Sequence, residues 1–190
     1  KDDDLLVLGI EPNEDAIKTI KGLQEPPYKS KWVLDKNYIS KRFFMIQVAL
    51  SDENRLDTFY KVKNKVNERM EGYDMGSSSL YKPKQLEYQQ SDVSVFRLDE
   101  LLNIFDWKSV PRIEQVKIDA QGEDFKIVKG IGPYLEKIGY VTIETSTYGQ
   151  YEGVTEELGA IDSLMLANNF GKISGGDDST YENLRFTDAD

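Results

Sequence analysis

Hydrophobic positions along the chain gather into short runs divided by polar punctuation, and their spacing switches between that of strands and that of helices. Leu5–Ile10 (LLVLGI) is a continuous apolar run of the kind expected where both faces of a strand are covered, and it ends on Glu11. Pro12 and Asn13 turn the chain, and Asn13 is placed to cap a helix with Glu14 and Asp15 in its first turn. Ala16, Ile17 and Ile20 form the apolar stripe of that helix and Gly22 stops it. Gln24–Tyr38, with Pro26-Pro27, has little periodicity and reads as a long irregular connection. Phe43–Leu50 (FFMIQVAL) is the next buried strand, and Ser51-Asp52-Glu53-Asn54 turns out of it. Arg55–Val62 and Asp92–Phe96 are read as further strands. The polar stretch between them, Lys63–Gln90, is too long for an ordinary connection, so its GSSSLY string at Gly76–Tyr81 reads as a lid or acceptor-contacting element, or as a surface excursion. Leu98–Leu102 starts a helix capped by Asp99.

The chain is organised around Ile113–Thr145. Val116–Ile118 is a strand ending on Asp119, and Gly122 allows a sharp turn into a short helix, Glu123–Lys129, with acids at its start, lysines at its end and Gly130 just beyond. Tyr140–Ile143 is a second strand, also ending on a carboxylate, Glu144. This order is a βαβ unit with parallel strands. Open α/β sheets bind ligands beyond the carboxyl ends of their strands, which puts Asp119 and Glu144 at one rim. Beyond them, Tyr148 and Tyr151 among glycines offer flat apolar faces with hydroxyls, a wall for a sugar-like acceptor or an ordinary surface loop. Thr155 caps a helix running through Asn169, and Phe170–Ile173 with Leu184–Thr187 form an antiparallel hairpin. The whole reads as one α/β domain with a mostly parallel sheet, whose central strands are Leu5–Ile10, Phe43–Leu50, Val116–Ile118 and Tyr140–Ile143.

Charge and composition narrow the chemistry. The 190 residues carry 24 Lys and Arg against 34 Asp and Glu, a net charge of −10, with the lysines scattered, so neither nucleic acid nor an anionic membrane is an expected partner. There is no cysteine and no histidine, so a general base has to be a carboxylate, a lysine or a tyrosine. A metal would need oxygen ligands, which suits magnesium, calcium or manganese, and no metal-binding set is assigned. No apolar run approaches the ~20 residues of a membrane span and no signal peptide opens the chain, so a cytoplasmic protein is expected.

KIDAQGEDFKIVKG followed by VTIET resembles the signature of the FkbM family of S-adenosylmethionine-dependent methyltransferases. The usual form has an acid, a small residue, Glu-Gly, a helix and a closing Lys-Gly or Arg-Gly; here Gln121 replaces the Glu. IEPN, VALSD, GSSSLY and LDELL follow the family pattern in the same order. The resemblance implies a Rossmann-like fold with an antiparallel C-terminal hairpin and an inserted strand pair around residues 55–96. It further implies S-adenosylmethionine as cofactor and methyl transfer to a hydroxyl of a sugar, glycan or small-molecule acceptor. By position, Glu11 in Glu11-Pro12-Asn13 inherits the ribose-binding role. Ala49 and Leu50 would edge the adenine through backbone groups, with Ser51 or Asp52 adding a side chain. Asp119 would face the methionyl end, and Glu144 is the expected base, with Glu123 a lesser candidate. The family's opening strand, glycine-rich turn and first helix have no counterpart ahead of Leu5, so the sheet is expected to lack its first strand and the chain alone to bind cofactor weakly or not at all. Two other readings stay open: a non-catalytic module that keeps the fold, and an α/β transferase or oxidoreductase using another nucleotide.

Overall fold

The structure is a computed structural model and describes residues 5–22, 37–63, 65–67, 70–73, 75–145, 149–155 and 158–186. Strand β1 (Val7–Ile10) leads through the Asn13 cap into helix α1 (Glu14–Ile20), and Asn13 Oδ1 accepts from the Asp15 N–H at 3.1 Å as expected. Strand β2 (Phe43–Ile46) runs parallel to β1, with Val7 opposite Phe43. Phe43–Leu50 is not one strand. The β1–β2 ladder ends where the Glu11 N–H donates to the Ile46 carbonyl, and after two unpaired residues the chain starts β3 (Ala49–Ser51) in a different sheet.

That second sheet has β7 (Tyr88–Arg97) at its centre, parallel to β3 and antiparallel to β4 (Arg55–Val62). Alternation along β7 turns Val93 and Val95 inward to meet Ala49 and Phe59, a second small core joined by Leu80. Among the described residues, strands β5 (Lys65–Asn67) and β6 (Met70–Tyr73) pair with each other only. Helix α2 (Leu98–Leu102) follows β7, and its cap position is Arg97 with no side-chain cap; Asp99 lies inside the helix and pairs with Arg97 instead.

The main core surrounds β8 (Ile113–Ile118), α3 (Asp124–Ile131), β9 (Ile138–Glu144) and α4 (Leu158–Ala167). β9 is central and parallel to β8, while β11 (Asp178–Asn183) and β10 (Phe170–Ser174) extend the sheet antiparallel, in the order β10-β11-β9-β8. Val141, Ile143, Val128 and Ile131 are fully buried between this sheet and its helices. The C-terminal hairpin is present but not in the expected place: Gly176, at φ 138°, supports the turn. Ser179, Tyr181 and Asn183 fill the buried positions of β11, and Leu184 is past its end.

The described residues thus form a mixed α/β structure of four sheets, with three parallel and four antiparallel strand pairings, rather than one mostly parallel sheet. Much of the antiparallel content comes from the long β4–β7 ladder around the inserted segment. No described helix is long and apolar enough to cross a membrane.

Gly130, expected just past α3, lies inside it because β3 packs so closely that a Cβ there would run into the Ser51 carbonyl oxygen. Gly132, at φ 56°, ends the helix. Gly130→Ala is expected to destabilise the protein by about 1–3 kcal/mol through overpacking against backbone, despite alanine's better helix propensity. Urea unfolding checks this; a neutral or stabilising effect would mean that β3 and α3 part easily.

Candidate active site

Parallel register builds the site. Ile118 pairs with Ile143 across β8 and β9, so the next residues, Asp119 and Glu144, emerge together at the carboxyl rim of the sheet. The chain then reverses through two left-handed residues, Gln121 at φ 53° and Gly122 at φ 108°. Asp124, buried at the start of α3, accepts from the Ala120 and Gly122 N–H groups at 3.0 Å each and fixes this turn. Burial raises the pKa of Asp124, and those N–H bonds oppose the rise.

Gln121 spans the two acids. Its Nε2 donates to Asp119 Oδ1 at 2.9 Å and to Glu144 Oε2 at 2.6 Å, and its Oε1 accepts from the Tyr151 hydroxyl at 2.8 Å. Glu144 is half-buried, and its pKa is pushed up to about 8, first by burial, then by a hydrogen bond shared with Asp119 and by the charges of Asp119 and Asp124. Lys117, which pairs with Asp178 across the sheet, pulls the other way. Glu11 faces the same rim from β1: burial raises its pKa, the Asn13 N–H at 2.6 Å opposes this, and the charge of Asp119 adds to the rise. The structure therefore brings Glu11, Asp119 and Glu144 together, with Pro12 and Asn13 forming the turn beside Glu11.

The VALSD residues lie elsewhere, against α3. Ser51 is fully buried and donates to Glu123 Oε1 at 2.5 Å, while Arg55 reaches both Ser51 Oγ at 2.9 Å and Glu123 Oε1 at 3.2 Å. This corrects the expectation of a ligand-facing Ser51, because its hydroxyl is committed inside the protein. Asp52 pairs with Lys129. Ala49 is buried and Leu50 packs on the main core, and among the described residues β3 has a strand partner, β7, on one side only. Glu123 is 2% exposed, held by Ser51, Arg55 and Lys126, and so is not an accessible base.

Two further expectations change. Tyr151 is 1% exposed, and its one hydroxyl proton is shared between Gln121 Oε1 at 2.8 Å and the Ser77 carbonyl at 2.9 Å, so it is not a wall for an acceptor; Tyr148 lies outside the described residues. The GSSSLY string is anchored rather than lid-like. Ser79 is buried and donates to the Gln121 carbonyl at 2.7 Å, and the residues just after the string pair with the Tyr151 stretch through the Pro83–Tyr151 bridge and the Glu152 N–H on the Lys82 carbonyl. Sequence reading passed over Asp124, Arg55 and Lys126, and noted Gln121 without giving it a role. The only signal for Gln121 was its place where an acid is usual. Among the described residues no group of three or more acids is arranged to hold a metal.

The chain matches the Methyltransferase FkbM domain over residues 3–172. No curated protein and no solved structure matches it significantly. The matched span includes IEPN, both strands of the βαβ unit and the acids at their ends, and the chain belongs to the FkbM methyltransferase domain family.

Proposed function

We propose that the protein transfers a methyl group from S-adenosylmethionine to a hydroxyl oxygen of a sugar, glycan or small-molecule acceptor in the cytoplasm. It would work as a single Rossmann-like domain, with residues 55–96 as an inserted strand pair. The observation that carries this reading is the carboxylate pair at the strand ends, with Glu144 pushed up to about 8, near the pH at which a carboxylate serves best as a proton acceptor.

The residues at the rim suit such a cofactor. Glu11 has one oxygen on the Asn13 N–H and no second donor among the described residues, which leaves it able to accept from ribose hydroxyls. Asp119 is exposed and suits an ammonium group, and β3, which has no strand partner on its second side among the described residues, would meet an adenine through backbone groups of Ala49 and Leu50. When bound, S-adenosylmethionine supplies a methyl already activated on a sulfonium, so the protein's own part is alignment and proton removal. In its ionised form Glu144 takes the acceptor hydroxyl's proton as the oxygen forms its new bond to carbon.

Calorimetric titration with S-adenosylmethionine tests the reading on the protein as the cell makes it. Glu11→Ala is expected to weaken binding by about 1–3 kcal/mol, the cost of leaving ribose hydroxyls without a charged acceptor. Unchanged affinity would make Glu11 a simple turn-forming acid, and no binding by the wild type would sink the proposal.

A further inference from the structure

The carboxylate pair does not explain its own stability. Asp119 and Glu144 follow directly on the Ile118–Ile143 register pair, so the backbone forces two like charges side by side, which is unfavourable on adjacent strands. The surroundings do little to relieve it. Glu11 and Asp124 add negative charge, Asp178 lies opposite Glu144 on β11, and Lys117, the cation that lowers the Glu144 pKa, is already paired with Asp178. What stands between the acids is neutral: the Gln121 side chain, with both N–H donors spent on them.

We propose that Gln121 is a positioning residue, whose amide, oriented by Tyr151, bridges the Asp119 and Glu144 carboxylates and holds them as one proton-sharing unit at the rim. The orientation of the amide follows from its neighbours. Reversed, its oxygen would face two carboxylates of which at most one carries a proton, whereas in this sense each carboxylate meets an N–H, and the oxygen lies 2.8 Å from the Tyr151 hydroxyl, whose one proton it shares with the Ser77 carbonyl at 2.9 Å. Gln121 is itself held from three sides: the left-handed backbone at φ 53°, the Ser79 hydroxyl on its carbonyl and the Tyr151 hydroxyl on its side chain. The GSSSLY string and the 149–154 loop thereby act on the acids through one residue. A glutamate at this position would bring a third carboxylate into the cluster and remove both donors. With glutamine the pair can carry one proton and one charge, the state from which one acid accepts a proton while the other stays ionised.

The inference rests on the reading of Glu144 as proton acceptor for its consequence, but not for its test. Carboxyl carbon signals of Asp119 and Glu144, assigned with Glu144→Gln, are followed by NMR as a function of pH in the wild type, Gln121→Leu and Tyr151→Phe. The strand register keeps the two acids adjacent in every variant, so loss of N–H donors to the ionised forms should move the upper titration step to higher pH. The expected rise is about one unit in Gln121→Leu and less in Tyr151→Phe. An unmoved step, or one that falls because the acids part into solvent, would overturn the proposal. Should Gln121→Leu fail to fold, Tyr151→Phe, which removes a single oxygen, carries the test with the same sign. A moved step in a protein without methyl transfer leaves the bridge standing and removes the function; methyl transfer with an unmoved step does the reverse.

Discussion

Replacing Arg55 with methionine is expected to lower the free energy of unfolding by about 3 kcal/mol, because it strands a buried carboxylate. Glu123 is 2% exposed, and Arg55 meets it at 3.2 Å while also bonding Ser51 Oγ at 2.9 Å and Asp57 at 2.8 Å. These contacts tie β3 and β4 to the first turn of α3, so the small second core is joined to the main one through charge as well as through the Gly130 contact. Lys126, at 3.3 Å, and the Ser51 hydroxyl remain after the substitution, which is why the loss is placed at the low end of the range for breaking a buried pair. Urea unfolding of Arg55→Met, Glu123→Met and the double variant measures it. The double variant should recover more than half of the single Arg55→Met loss, since no charge is then left unpaired. A single-variant effect within about 0.5 kcal/mol would place this cluster with surface ion pairs.

Local chemistry was legible in the sequence, and contacts across loops were not. The Asn13 cap, the β4 strand and the Asp119 and Glu144 pair followed from turn residues, alternation and the parallel register of a βαβ unit, each set within a few dozen residues. Ser51 shows the other side. A serine after an apolar strand reads as a polar turn, and only its distant partner Glu123 makes it a buried donor. Glu123 was explained by the helix dipole for the same reason, although α3 begins one residue later and the acid points at Arg55. Phe43–Leu50 looked continuous because apolarity does not record which sheet a residue joins; the ladder with β1 stops at Ile46 and that with β7 starts at Ala49. Gly130 looked like a helix stop because a close approach of backbone from a different sheet leaves no local mark. Gln121 was noted as a departure from a pattern, but its reach to both acids depends on a left-handed φ that a glutamine seldom adopts.

Glu144→Gln is expected to reduce methyl transfer by ~10²-fold or more with cofactor affinity intact, since it removes the proton acceptor and keeps the shape. The wild-type rate should rise with pH and level off above about 8, where Glu144 becomes ionised, and the residual rate of the variant should lack that rise. The same substitution has an opposite effect on stability, and the sign follows from linkage. The pKa of Glu144 lies at 4.5 when free and about 8 when folded, so between those values the folded state binds more protons than the unfolded state. Stability is therefore undiminished below pH 4.5 and falls as pH rises towards 8, which Glu144→Gln should abolish. Because Glu144 is only half-buried, solvent screening cuts the effect to about 1–2 kcal/mol. At pH 8.5 the variant should thus be the more stable protein and the poorer enzyme, and at pH 4 the two should unfold alike. Thermal unfolding at both pH values, beside initial rates from pH 6 to 9, separates the alternatives. A variant that keeps its turnover and its pH profile is evidence against Glu144 as the base. One that loses turnover without gaining stability at high pH would mean that the acid acts catalytically but is not held protonated by Asp119 and burial.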